Sequence, residues 1–114
     1  MDSGISFGEF IRKERLKKGI TLRKFAQAVD LSSTFISRME RDDTYPPSEE
    51  KILNIAASLG LDPDYLILMA RKVPEEVQEL LFDKPHLVGF LRKVSKKSVA
   101  ELDDMTSTPS KGEH

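Results

Sequence analysis

The sequence of 114 residues contains no cysteine and no tryptophan, and only 7% of its residues are aromatic. Without cysteine, the chain has neither disulfide bonds nor thiolate metal ligands, which fits a reducing compartment. No apolar run approaches the roughly 20 residues of a membrane-spanning helix, and the N-terminus does not have the pattern of a signal peptide. The composition therefore predicts a cytoplasmic protein without a membrane segment.

The chain also lacks a strong net charge, because its 18 Lys and Arg residues nearly balance its 19 Asp and Glu residues. If the protein binds nucleic acid, local placement of charge must provide the attraction. The two histidines, His86 and His114, are isolated, and the acidic residues show no spacing with His or Ser that is typical of catalysis. We therefore predict no metal site, no cofactor and no enzymatic activity.

Helical periodicity dominates the hydrophobic pattern, and alternation typical of β-strands is nearly absent. Five apolar segments each follow a residue type that caps helix N-termini. These predicted N-cap residues are Ser6, Thr21, Ser32, Ser48 and Asp62. Gly19 and Gly60 end two of the segments. The pattern predicts an all-α fold with five short helices in residues 1–72.

A second segment follows, in which Pro74 and Pro85 each begin a predicted helix with one apolar face. Two short helices cannot bury such faces alone, so they must fold back on the first domain or pair with another copy. From Ser95 onward the composition becomes polar, which predicts a mobile tail. We therefore predict three parts, comprising residues 1–72, 73–94 and 95–114.

Residues 22–43, LRKFAQAVDLSSTFISRMERDD, predict two short helices joined by a tight turn. Such a pair forms a helix-turn-helix, whose second helix can enter the DNA major groove. In this second helix, Ile36 and Met39 are expected to face the core. Four polar residues are expected to face outward: Ser33, Thr34, Ser37 and Arg38. On a helix outside this motif, the same residues would be interpreted as an ordinary solvated face.

Several motifs in residues 7–70 occur together in one known family. They are Arg15 before Lys17-Lys18-Gly19, Ile20-Thr21-Leu22, Phe25-Ala26, Leu31-Ser32, Ile36-Ser37-Arg38-Met39-Glu40-Arg41, and Pro47-Ser48. With these motifs the chain resembles the phage repressor, Cro and XRE family of helix-turn-helix regulators. The resemblance implies a five-helix, lambda-repressor-like DNA-binding domain. It also implies a homodimer that binds a palindromic double-stranded operator, usually as a repressor.

The resemblance assigns roles to individual residues of this chain. It implies base contacts by Ser33, Thr34, Ser37 and Arg38, and phosphate contacts by Arg23, Arg41, Thr44 and Tyr45. Arginine can bond guanine O6 and N7 together, and such a contact contributes about 1–3 kcal/mol of discrimination. Arg15 and Glu40 are expected to form a partly buried structural ion pair. Phe35 could pack against the fourth helix or touch a thymine methyl group.

The chain departs from the family pattern at a few positions. Asp30 stands where glycine is common, although aspartate adopts the left-handed conformation less easily. Asp42 and Asp43 follow the second helix of the motif and would repel phosphate if they faced it.

Two alternative functions remain open from the sequence. An antitoxin would repress its own operon and neutralise a toxin through residues 74–94. A protein-interaction adaptor would keep the same fold but use its surface for protein partners, which the near-neutral charge permits.

Overall fold

The computed structural model describes residues 5–106, which form eight α-helices and no β-strand within that range. The helices are α1 Phe7–Lys17, α2 Leu22–Val29, α3 Ser33–Glu40, α4 Glu49–Leu59, α5 Pro63–Met69, α6 Glu75–Asp83, α7 Leu87–Val94 and α8 Val99–Thr106. The chain divides between Pro74 and Glu75 into two compact units. This division lies two residues from the predicted boundary. The all-α fold class is confirmed.

The first five helices begin at the predicted N-cap residues. Four of these helices begin with a hydroxyl side chain that accepts a hydrogen bond from the backbone N–H three residues later. The N-cap residues and their donor–acceptor distances are Ser6 (3.2 Å), Thr21 (3.1 Å), Ser32 (3.0 Å) and Ser48 (3.4 Å). At α5, Asp62 accepts from the N–H of Asp64 at 3.2 Å, and Pro63 occupies the first helical position. Each cap satisfies a backbone donor that the helix itself leaves unpaired.

Two helices end in the left-handed backbone conformation. Gly60 closes α4 with φ 67°, which glycine adopts without steric cost. Asp30 closes α2 with φ 58° and therefore adopts this conformation with a side chain. The ammonium group of Lys51 on α4 donates to the Asp30 carbonyl at 3.1 Å, which links the turn of the helix-turn-helix to α4.

A single hydrophobic core fills the first unit. Its buried members are Phe7, Ile11, Phe25, Ala26, Val29, Ile36, Met39, Ile52, Ile55, Ala56, Leu59, Leu66, Ile67 and Ala70. The apolar faces predicted for α1 to α4 supply most of these side chains. In α5, Met69 is only partly buried, whereas Leu66 and Ile67 lie in the core together with Ala70, which follows the helix.

The second unit contains α6, α7 and α8. Pro74 directly precedes α6, as predicted, but α7 begins at Leu87, after a turn in which the Leu87 N–H donates to the Lys84 carbonyl. The sequence predicted a tail from residue 95, and this is wrong for residues 99–106, which form α8. Residues 107–114 of the predicted tail lie outside the described residues.

A capping box at Ser98 explains α8. The Ser98 hydroxyl accepts from the Glu101 N–H at 3.1 Å, and the Glu101 carboxylate accepts from the Ser98 N–H at 2.8 Å. These reciprocal bonds define a helix start inside a segment whose overall composition is polar. A lipid bilayer could not be crossed by any helix in residues 5–106, since none is sufficiently long and apolar.

Candidate nucleic-acid interface

The helix-turn-helix consists of α2, a short turn and α3. After α2 ends at Val29, the Leu31 N–H donates to the Ala26 carbonyl at 3.0 Å, which closes the left-handed turn. Ser32 then caps α3, which begins at Ser33. The turn is therefore short and held by backbone hydrogen bonds, so the direction of α3 relative to α2 is fixed.

Arg15 and Glu40 form an ion pair that joins α1 to the end of α3. The guanidinium donates to the carboxylate twice, from Nε to Oε2 at 2.7 Å and from Nη2 to Oε1 at 3.0 Å. A third bond joins Nη1 to the Ile20 carbonyl at 2.8 Å. The side chains are only 8% and 4% exposed. The hydrogen bond to Glu40 raises the pKa of Arg15, with a smaller Coulombic contribution from the same carboxylate.

Asp42 makes a second connection between α1 and α3. Its backbone is left-handed, with φ 59°, and its carboxylate accepts from the Gly8 N–H at 3.0 Å and from the Ser6 hydroxyl. This carboxylate therefore lies at the positive end of the α1 dipole, although the residue as a whole is exposed. The repulsion of phosphate by Asp42 stays a prediction, because the carboxylate keeps its charge and the residue is exposed.

The outward face of α3 has the polar composition that the sequence predicts. Ser33, Thr34 and Arg38 are exposed, whereas Ser37 is only half-buried. Phe35 is half-buried and packs against the core. Ser33 and Thr34 belong to the first turn of the helix and Arg38 to its last turn, and such exposed polar side chains can approach base edges in a groove.

Arg38 also holds the loop that follows α3. Its Nη2 donates to the Asp43 carbonyl at 3.0 Å, and the Asp43 N–H donates to the Arg38 carbonyl at 2.8 Å. The two reciprocal bonds close a ring between the helix and the loop. Of the five N–H donors of the guanidinium, one is used in this contact, so others remain to bond a base edge.

The residues expected to contact phosphate differ in their exposure. Arg23 is exposed in the first turn of α2, and Tyr45 is 86% exposed. Arg41 is exposed too, but its Nε donates to the Ser37 carbonyl at 3.2 Å and its Nη1 lies 4.0 Å from Asp43 Oδ2. Thr44 is half-buried. Arg41, Thr44 and Tyr45 lie in the segment that follows the C-terminal end of α3.

The contacts of Gly8 and Lys51 were not predicted from the sequence. Gly8 lies against α3, and Lys51 holds the turn at Asp30. A signal for Gly8 does exist in the sequence, because glycine is costly inside a helix and is retained where another backbone comes close. Within residues 5–106, the His, Asp and Glu side chains do not gather into a group that could bind a metal ion.

Comparison with known proteins agrees with this geometry. Residues 11–66 match the helix-turn-helix family. The sequence has no significant match among curated proteins.

Two solved structures share the fold. One is the clp gene regulator ClgR from Corynebacterium glutamicum, with a TM-score of 0.50 and 24% identity, covering 80% of this chain and 92% of that one. The other is a SinR protein/SinI protein complex, with a TM-score of 0.50 and 20% identity, covering 87% and 89%. The domain formed by α1 to α5 therefore has the helix-turn-helix fold and resembles the XRE-type family of this fold.

Proposed function

We propose that the protein is a sequence-specific transcriptional regulator that binds an operator as a homodimer and represses the genes behind it. The observation behind this proposal is the exposed polar face of α3, on which Ser33, Thr34 and Arg38 stand outward while Ile36 and Met39 are buried. A helix with such a division can seat in the major groove and present hydrogen-bonding groups to base edges.

We assign base contacts to Ser33, Thr34, Ser37 and Arg38 on this face. Hydroxyl groups bond several base edges, whereas the Arg38 guanidinium is best suited to guanine O6 and N7. Because Ser37 is half-buried, its contact requires the helix to lie deep in the groove.

We assign phosphate contacts to Arg23, Arg41, Thr44 and Tyr45, which are exposed or half-buried beside the helix-turn-helix. Such contacts set the register of the protein on the duplex without distinguishing sequences. With two copies on one duplex, the recognition helices would occupy half-sites about one helical turn apart. A regulator of this kind acts in the cytoplasm of a bacterial cell, where the DNA is accessible.

Selection from random duplex DNA tests the proposal directly. We expect an enriched palindrome, and the affinity for it should fall with salt as the phosphate contacts are screened. A reporter gene behind the selected palindrome should be repressed when the protein is expressed. Failure to enrich any sequence at moderate salt would contradict the proposal and leave the fold serving protein partners.

A further inference from the structure

The second unit presents apolar side chains to solvent. None of the residues described in α6 and α7 is buried. The larger apolar side chains include Val77 at 39% exposure, Leu80 at 45%, Phe90 at 52% and Leu91 at 47%. In the described part of the chain, these two consecutive helices therefore leave several large apolar side chains partly in water, which is typical of a surface that binds a partner.

Most apolar residues of these helices form one stripe on each helix, whereas Phe82 of α6, which is 78% exposed, lies outside it. On α6 the stripe consists of Val77, Leu80 and Leu81, which follow the i, i+3, i+4 spacing. On α7 the residues at i, i+3, i+4 and i+7 are Leu87, Phe90, Leu91 and Val94. Stripes of this width are the surfaces through which helices pack against other helices.

The two helices have charges of opposite sign. The acidic residues of α6 are Glu75, Glu76, Glu79 and Asp83, and the helix has no basic residue. The basic residues of α7 are Arg92 and Lys93, and this helix has no acidic residue. Glu76 and Asp83 are seven positions apart and therefore line the same edge of the α6 stripe, and Lys93 lies beside the α7 stripe, three positions after Phe90.

We propose that the occupant of these stripes is a second copy of the chain, and that α6 of each copy packs against α7 of the other. This inference rests on the homodimer of the proposed function and specifies its interface. Pairing α6 with α6 would place acidic edges together, and pairing α7 with α7 would do the same with basic edges. Among the pairings between two copies, only the crossed one brings opposite charges beside the buried stripes, and two-fold symmetry forms it twice.

Complementary charge reversal tests the crossed pairing. One variant combines Glu76→Lys with Asp83→Lys on α6, and the other combines Arg92→Glu with Lys93→Glu on α7. All four side chains are exposed. Each variant alone places like charges across the interface, so sedimentation should show its dimer dissociation constant raised by about tenfold or more. An equimolar mixture of the two variants restores opposite charges and should form a one-to-one heterodimer.

A matched control combines Glu50→Lys with Asp64→Lys, which changes the net charge as much as the α6 variant. Both residues are exposed in the first unit, and this variant should dimerise like the unaltered chain. The proposal is overturned if either reversed variant dimerises like the unaltered chain, if the mixture stays monomeric, or if the unaltered chain is itself a monomer at high concentration.

DNA selection in parallel separates this inference from the proposed function. Enrichment of a palindrome by a dimer that charge reversal does not affect would overturn the crossed pairing and leave the regulator intact. If the heterodimer forms as expected but the chain selects no DNA, the crossed pairing stands and the proposed regulator function is overturned.

Discussion

Gly8 in the first turn of α1 lies directly against the backbone of Met39 at the end of α3. A Cβ atom at position 8 would lie 2.1 Å from the Met39 carbonyl oxygen and 2.7 Å from Asp42 Oδ1. Since the first of these atoms belongs to a helix backbone, it cannot rotate away as a side chain would. Glycine is therefore the residue that allows α1 and α3 to come this close.

Replacing Gly8 with alanine should destabilise the first unit. Alanine favours helices by up to about 1 kcal/mol, but the two helices would have to separate. We expect the free energy of unfolding to fall by roughly 1–3 kcal/mol, as measured by urea denaturation that is followed with circular dichroism. Gly89→Ala on α7 is the matched control, because a Cβ there meets no atom within 4 Å. Equal effects of the two substitutions would refute the close approach.

Replacing Asp30 with glycine should stabilise the protein slightly. The left-handed conformation costs a residue with a side chain roughly 1–2 kcal/mol, whereas the ion pair of the Asp30 carboxylate with Lys51, at 3.3 Å, is mostly exposed. Such pairs contribute about 0–1 kcal/mol. The control is Asp30→Ala, which loses the ion pair but keeps the backbone cost. In thermal unfolding, the glycine variant should have a higher melting temperature than the unaltered chain, and the alanine variant a lower one. An alanine variant as stable as the glycine variant would exclude this explanation.

The ion pair of Arg15 and Glu40 should behave as a coupled unit. Glu40→Met leaves a buried guanidinium without its carboxylate, which costs about 3–5 kcal/mol. Arg15→Met leaves the carboxylate and the Ile20 carbonyl without a donor, with a similar expected loss. The double variant removes both members of the pair. Its loss of unfolding free energy, measured by urea denaturation, should therefore be clearly smaller than the sum of the two single losses. Strict additivity of the two losses would show that the pair is not coupled.

Arg38 and Arg23 should affect DNA binding in different ways. If Arg38 bonds a guanine, Arg38→Ala should reduce discrimination at one base pair of each half-site by about 1–3 kcal/mol. Arg23→Ala should weaken binding to every sequence and lower the salt slope by about one unit per site. Fluorescence anisotropy with the selected operator and its point variants measures both effects.

Arg38→Lys is the control for that experiment, because it keeps the charge but not the planar fork. The Arg38→Lys variant should therefore keep the salt slope of the unaltered protein but lose discrimination at the contacted base pair. Identical profiles for the Arg38 and Arg23 variants would contradict the division into base and phosphate contacts.

The helices of the first unit were predictable because their signals are local. Ser6, Thr21, Ser32 and Ser48 each bond a backbone N–H only three residues away, so the cap is visible in the sequence itself. The apolar period likewise identifies the buried face of each helix. Such signals determine which residues face the core, and they placed the polar residues of α3 on its outer side.

The contacts between distant residues were harder to predict. Asp42 meets Gly8 across 34 positions, and the sequence does not indicate that its carboxylate turns toward α1 rather than toward DNA. The bond from Arg38 to the Asp43 carbonyl depends on the path of a loop whose backbone the sequence does not specify. The omission of α8 has another cause, because the capping box at Ser98 is local and was outweighed by the polar composition of the segment.

The ion pair, the hydrogen bonds of Asp42 and the close approach at Gly8 join α1 to the C-terminal end of α3 and the residues after it, at Met39, Glu40 and Asp42. The exposed residues Ser33 and Thr34 lie at the opposite end and contribute nothing to this anchoring. If Ser33 and Thr34 contact bases as proposed, substitutions at those two positions would alter target preference while the scaffold stays unchanged. Such a domain would be suited to diversification, in which gene duplicates acquire new binding sites through a few surface exchanges without losing the ability to fold.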